Sequence, residues 1–173
     1  MKHPSIKKYE YHNWANDKLF KRLKELPDEV YDTELKSVFP SISATLLHMY
    51  LTDVVWLNTM QGVSFEETKT KVGMKASDLK AVSMKEMEME FVKLRAEYDQ
   101  FFSQLENLDH LSQYEHPVYG ILNATYVELI DHVVNHGTYH RGNITAMLNQ
   151  QGYSGTPTDY VYYLYEVGKN KFR

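Results

Sequence analysis

The sequence predicts an all-α protein built as a four-helix bundle. Four long segments carry apolar residues at steps of three and four, the spacing that places them on one face of a helix. Two longer connections, rich in glycine, proline and polar residues, separate these segments. No stretch alternates apolar and polar residues convincingly enough to predict a strand. At 173 residues the chain is expected to fold as a single domain, 1–173, with a substantial core.

The first helix is predicted from Ser5 to about Leu26. Its apolar residues recur at helical spacing, Ser5 is a candidate N-cap, and Pro27 marks the stop. His12 lies in this segment and is expected at the surface, with a reserve role as a metal ligand as the weaker alternative. The stretch 28–39 that follows is polar and is expected to be a short link.

The second helix is predicted to open at Ser41, a capping residue, and to run to about Met60, where Gly62 ends it. It is apolar nearly all round, so it is expected at the centre of the bundle. His48 stands in its middle. The following residues, 62–82, are predicted to be irregular.

The third helix is predicted to start at Ser83, which forms a capping-box pattern with Glu86. Its apolar residues then form a heptad seam, typical of a helix packed along a bundle. The seam consists of Met84, Met87, Phe91, Leu94, Tyr98, Phe101, Leu105 and Leu108. The second connection, 109–120, is expected to be irregular, because Pro117 and Gly120 act as breakers.

The fourth helix is predicted from about Asn123 to Gln151, where Gly152 terminates it. Gly142 lies in its interior and costs up to about 1 kcal/mol relative to alanine, which predicts close approach of a neighbouring helix there. The aromatic tail, 159–165, is expected to form a short C-terminal helix or an extended cover.

Three histidines stand four residues apart in the fourth helix, at His132, His136 and His140. A step of four advances about 40° around a helix and about 6 Å along it, so neighbouring imidazoles can share one metal ion. The outer two, about 12 Å apart, cannot. The stripe therefore offers two ligand pairs. Without a metal, three buried imidazoles would each need partners for two ring nitrogens. On the facing second helix, His48 is the candidate third ligand.

The composition limits which partners and which reacting groups the protein can have. A net charge of −4 with scattered basic residues gives no footprint for nucleic acid and no patch for an anionic membrane. The chain has no cysteine, so any thiol in the reaction must arrive with a substrate. The sequence lacks an apolar signal segment and an apolar run of about 18 residues, and a cytoplasmic location is expected.

Two motifs carry a resemblance to a known family. The first is Leu47-His48 with Asp53 and Trp56, and the second is the run 135–143, Asn-His-Gly-Thr-Tyr-His-Arg-Gly-Asn. Together they resemble the DinB/YfiT-like family of metal-dependent bacterial proteins, over almost the whole chain. The resemblance implies a four-helix bundle with up-down-down-up topology, often dimeric, that binds a divalent ion such as zinc or nickel.

The resemblance also selects between the two ligand pairs. It places the metal ligands on His48, His136 and His140, and leaves His132 as a neighbour one turn away that lines the pocket or supports a ligand. At Asn143 this chain departs from the family, where glutamine is common.

Four residues are candidates around the metal: His132, Asp53, Arg141 and Trp56. Asp53 is expected to form a structural pair with Arg141, or alternatively to orient a ligand imidazole. Trp56 is expected in the core or as a wall of the pocket. No residue is assigned as a catalytic acid or base.

Three neutral imidazoles leave a divalent ion with its full charge and an open position, as in catalytic zinc sites. The first hypothesis is transfer of a low-molecular-weight thiol to a small electrophile, because relatives in the wider superfamily use thiols such as bacillithiol. The alternatives are a metal-dependent hydrolase and a non-enzymatic metal-binding stress-response module. The expected partners are a small-molecule substrate and a second copy in a homodimer.

Overall fold

The computed structural model describes residues 3–169, and within them the chain forms seven helices and one two-stranded sheet. The elements are α1 (Pro4–Leu23), α2 (Glu29–Asp32), α3 (Ile42–Met60), α4 (Phe65–Leu79), α5 (Met84–Gln104), β1 (Leu111–His116), β2 (Gly120–Thr125), α6 (Tyr126–Gln150) and α7 (Tyr160–Lys169). The chain is therefore mostly helical, as predicted. None of the helices in this range is both long enough and apolar enough to cross a membrane.

The four long helices α1, α3, α5 and α6 correspond to the four predicted segments. The predicted cap of α1 was wrong, because His3 accepts the backbone N–H of Ser5 and the helix begins at Pro4. The capping box of α5 is confirmed, with Ser83 and Glu86 each accepting the other's backbone N–H. Most of the predicted seam of α5 is buried, so its heptad pattern predicted the packed face correctly.

Residues 62–82, expected to be irregular, contain the 15-residue helix α4. Its signals are local rather than periodic. Ser64 caps it by accepting the backbone N–H of Glu67, and Glu67 forms an ion pair with Lys71 one turn later. Thr68 is the buried residue of this helix. A mainly polar helix of this kind lacks the apolar stripe from which the other helices were predicted.

Residues 109–120 were expected to be irregular, but they contribute to a β-hairpin. Strand β1 pairs antiparallel with β2 over six residue pairs, from Leu111 opposite Thr125 to His116 opposite Gly120. Helix α6 consequently begins at Tyr126 rather than near 123. The polar link 28–39 also contains the single turn α2.

The chain divides into two compact units. The first comprises residues up to Thr45 together with those from Gly137 onward. In it, α7 lies against α1, where Glu166 accepts hydrogen bonds from Trp14 (2.8 Å) and Lys18 (2.6 Å). The aromatic tail is therefore helical, one of the two forms expected for it. The buried residues of this first unit include Leu19, Phe20, Leu23, Val30, Ile144, Met147 and Leu148.

The second unit comprises residues 46–136. Within it, the Tyr98 hydroxyl of α5 donates to the backbone carbonyl of Asp53 in α3 at 2.8 Å. Tyr50 of α3 donates to Glu90 of α5 and accepts from Lys75 of α4, so three helices meet at one buried hydroxyl. These bonds fix the register of α3, the helix that carries His48.

Candidate metal centre

The three histidines that the resemblance selects form one group in the structure. His48, His136 and His140 each offer one ring nitrogen, and these nitrogens all lie within 4.8 Å of one another. The Nε2 atoms of His48 and His136 are 3.1 Å apart. His140 follows His136 by one turn on the same continuous helix, α6. His140 is buried, and the other two side chains are half-buried.

The spacing of His48 and His136 suits two ligands of a tetrahedral divalent ion. Zinc–imidazole bonds of 2.0–2.1 Å in a tetrahedral site place two ligand nitrogens about 3.3 Å apart. The 3.1 Å between the Nε2 atoms of His48 and His136 is close to this value. An imidazole–imidazole hydrogen bond would give a similar distance, but it would not account for a third histidine in the group. Nitrogen ligands suit zinc and nickel alike.

His132, the remaining member of the stripe, lies outside this group of three. Its ring packs edge-on against Trp56, with the ring centroids 4.7 Å apart, and stacks on His136 at 6.1 Å. Part of its side chain is exposed. The rest is buried, and this burial lowers the pKa of His132. His132 and Trp56 are therefore brought together beside His136, although their role as pocket walls stays a prediction.

Asp53 is buried and acts electrostatically on two histidines. Burial lowers the pKa of His48, and the negative charge of Asp53 partly offsets that shift. The same charge partly offsets the lowered pKa of His132. Both imidazoles are consequently neutral at pH 7, the form in which histidine binds metal. This proximity is compatible with an orienting role for Asp53. The expected pairing of Asp53 with Arg141 stays a prediction.

Three residues surround His140, and the sequence predicted a role for none of them. Phe39 and Tyr139 pack edge-on against its ring, with centroid distances of 5.6 Å and 4.9 Å. Tyr139 is 61% exposed, so it borders the site from the solvent side. The amide of Asn143 lies 3.4 Å from His140 Nδ1. The atom that faces Nδ1 is the amide nitrogen; with the amide turned over, its oxygen can accept the Nδ1–H and fix the tautomer that leaves Nε2 for a metal.

The helix segment that carries the site is anchored to α1 by buried polar groups. Arg141 is only 2% exposed, and its guanidinium donates to Asn16 and to Thr138, each at 2.9 Å. His12 was expected at the surface, but it is 1% exposed and contacts Asn16 at 3.1 Å. The expectation was wrong because His12 and Asn16 lie one turn apart on the inner face of α1. That spacing was the available signal.

A glycine lets α1 approach this closely, but it is Gly137 rather than the predicted Gly142. A Cβ atom on Gly137 would lie 2.4 Å from Cε1 of His12 and 2.9 Å from a guanidinium nitrogen of Arg141. A Cβ atom on Gly142 would meet nothing within 4 Å. The close contact is therefore at the position directly after His136.

Comparison with known proteins decides the family. The sequence model of the DinB family matches residues 1–170. The chain belongs to the DinB family. It is 47% identical over 167 residues to the protein DinB of Bacillus subtilis strain 168, covering 96% of this chain and 97% of that protein.

A solved structure supports the fold of this DinB-family chain. The crystal structure of a DinB-like protein from Bacillus cereus superposes with a TM-score of 0.63, over 88% of this chain and 94% of that chain. The two sequences are 19% identical. At that identity the likeness concerns the fold alone, and the site rests on this chain's own residues.

Proposed function

We propose that this DinB-family protein binds one divalent metal ion, zinc or nickel, on His48, His136 and His140. We further propose that it uses this ion to transfer a low-molecular-weight thiol to a small electrophile. The observation that carries the proposal is the convergence of three ring nitrogens within 4.8 Å. Two of these side chains are one helical turn apart on α6, and the third comes from α3.

The composition of the donor set favours thiol chemistry. A divalent ion held only by neutral imidazoles keeps its full charge and an open position, which lowers the pKa of a thiol or water that binds there. The chain contributes no thiol of its own, because it has no cysteine. The reacting sulfur must therefore belong to a bound small molecule, such as bacillithiol.

The surrounding residues have separate proposed tasks. The Asn143 amide, whose nitrogen lies 3.4 Å from His140 Nδ1, turns over to accept the Nδ1–H and holds the His140 ring in the tautomer that leaves Nε2 for the metal. Asp53 helps to orient His48. Its negative charge partly offsets the lowering of the His48 pKa by burial. The ring of Tyr139 packs against His140 and that of Trp56 packs against the neighbouring His132, and their proposed task is to restrict the access of water. None of these groups needs to act as an acid or base in the transfer.

The remaining expectations are part of the same proposal. The four long helices form a bundle with up-down-down-up topology within one domain, 1–173. The protein is a cytoplasmic homodimer that binds a small molecule and neither nucleic acid nor a membrane. The net charge of −4 supports the exclusion of nucleic acid.

The test is a thiol-transfer assay with defined reagents. The protein is loaded with zinc or nickel and mixed with bacillithiol or another low-molecular-weight thiol and the fluorogenic electrophile monochlorobimane. In the reaction the sulfur bonds to carbon, chloride leaves and the thiol proton passes to solvent. We expect the metal-loaded protein to accelerate formation of the fluorescent thioether, and we expect His136→Ala to abolish the acceleration.

His110→Ala is the matched control, because it removes an exposed imidazole from the segment before β1. It is expected to keep the full rate. If metal binds but no thiol in a broad panel reacts, the transferase proposal fails. Ester hydrolysis by the same protein would then favour the hydrolase, and inactivity on all substrates would favour a non-enzymatic metal-binding module.

A further inference from the structure

The β-hairpin is a well-anchored element with an apolar tip. His116, the last residue of β1, accepts the backbone N–H groups of Val118 and Tyr119 at 3.2 Å each, which closes the turn. Gly120 completes the turn with a φ of +78°, a conformation that favours glycine. The His116 ring also packs edge-on against Phe65 of α4, with centroids 4.8 Å apart.

Large apolar side chains on this hairpin lie in solvent. Val118 is 78% exposed, Tyr119 is 86% exposed and Ile121 is 60% exposed, and Leu122 beside them is also exposed. These four residues occupy five consecutive positions, 118–122, around the turn. Single exposed apolar residues are normal, but a contiguous group of this kind marks an interaction surface.

Strand β2 also has an open edge. In the described part of the chain the sheet has two strands, so β2 pairs with β1 on one side and presents unpaired backbone groups on the other. Natural proteins usually protect such an edge with charged side chains, a proline or a bulge. The sequence of β2, Gly-Ile-Leu-Asn-Ala-Thr, contains no charged residue and no proline, and its six pairs run without a bulge.

We propose that β2 pairs antiparallel with β2 of a second copy of this chain, so that two hairpins form one four-stranded sheet. A two-fold axis brings each side chain of β2 close to residues of the same strand in the other copy. Like charges that face each other across strands destabilise a sheet. β2 has none, whereas the outer edge of β1 carries Glu115. The charge pattern therefore favours pairing through β2.

The same pairing gives the exposed apolar residues of β2 new neighbours. Ile121 and Leu122 lie on the two faces of β2, and in the paired sheet both have a neighbour across the new strand pair. Isolated two-stranded sheets are marginally stable, and a third and fourth strand would strengthen the hairpin. A six-residue edge is smaller than a standard protein interface, so the association is weak and depends on concentration.

This inference supplies a surface for the proposed homodimer and is independent of the metal. Because the chain has no cysteine, single-cysteine variants report the pairing directly. Cysteine is introduced in turn at Ile121, Leu122 and Asn123, and the protein is oxidised mildly. Directly opposed residues in antiparallel strands have the Cα separation that a disulfide requires. We expect a covalent dimer from the one or two positions nearest the two-fold axis.

Gln113→Cys is the matched control, because Gln113 is exposed and stands opposite Asn123 on the other strand of the hairpin. It is expected to stay monomeric under the same oxidation. Equal crosslinking of Gln113→Cys, or no crosslinking at any of the three β2 positions, would overturn the proposal.

Sedimentation equilibrium, which measures the dimerisation constant, provides the second test. Ile121→Lys introduces like charges into the interface, and Glu115, which stands opposite in the register, gives the lysine an ion partner within its own hairpin. The hairpin is therefore expected to stay folded, which circular dichroism checks. Dimerisation should weaken by at least about 10-fold, whereas Gln113→Lys should leave it unchanged.

Two results of this second test would reject the pairing. One is a wild-type chain that stays monomeric at every concentration, which would point to an extended segment of another protein as the occupant of the edge. The other is a dimer that Ile121→Lys does not weaken, which would place the contact on another surface.

Discussion

Replacing Gly137 with alanine tests the contact that anchors the metal-site helix to α1. The added Cβ would lie 2.4 Å from His12 Cε1 and 2.5 Å from His12 Nδ1, distances that real Cβ atoms do not show. The His12 ring has little room to move, because it is 1% exposed and contacts Asn16. Either the ring or the helix must therefore shift.

The magnitude follows from two opposing terms. Overpacking a buried contact costs about 1–3 kcal/mol, and alanine in a helix interior recovers up to about 1 kcal/mol relative to glycine. We expect Gly137→Ala to lower the free energy of unfolding by about 1–2 kcal/mol. For a chain of this length that corresponds to a fall in Tm of about 2–8 °C.

The same helix provides the control, because Gly142 has open space around it. Gly142→Ala should raise the stability by up to about 1 kcal/mol through helix propensity alone. Urea unfolding followed by circular dichroism measures both variants. In the double variant His12→Ala/Gly137→Ala the added methyl group should cost less than in Gly137→Ala alone, because the clashing ring is gone. If Gly137→Ala and Gly142→Ala stabilise the protein equally, the close contact does not exist.

Three further predictions follow from named contacts. Ser83→Ala should lower stability by about 0.5–2 kcal/mol. Hydrogen bonds from Ser83 lower the pKa of Glu86. The loss of stability in Ser83→Ala should therefore be largest above pH 4.5 and shrink as acid protonates Glu86. Unfolding titrations at several pH values measure this dependence. Arg141→Met should cost about 1–3 kcal/mol in thermal unfolding, because it leaves the buried amide of Asn16 without its donor. Asn143→Leu should weaken zinc binding by about 10-fold in calorimetry and leave the fold intact.

The long helices were predictable because each buries an apolar face whose period is visible in the sequence. The α5 seam from Met87 to Phe101 is an example. Helix α4 was missed because local capping and ion pairs form it, with Ser64, Glu67 and Lys71 carrying the signal. The hairpin was missed because its strands alternate only weakly in hydrophobicity, and Gly120 suggested a break rather than a turn between strands.

The site could be predicted only in part, because it depends on contacts between residues that are distant in sequence. The spacing of four residues is the same on both sides of His136, so it did not show whether His132 or His140 is the second metal ligand of this helix. The family resemblance made that choice, and the structure brings His140 into the group. The one-turn spacing of His12 and Asn16 is the only local signal of their pairing, and it does not show burial, because the contacts that enclose His12 come from Gly137 and Arg141, more than a hundred residues away.

Calorimetric titration with zinc tests the metal site most directly. The wild-type protein should bind one ion per chain, and His136→Ala and His140→Ala should each weaken binding by more than about 100-fold, beyond the loss expected for a supporting residue. His132→Ala should remain within a few-fold of the wild type. Full occupancy in His136→Ala, or loss of binding in His132→Ala while His140→Ala still binds, would contradict the assignment of His48, His136 and His140 as the ligands.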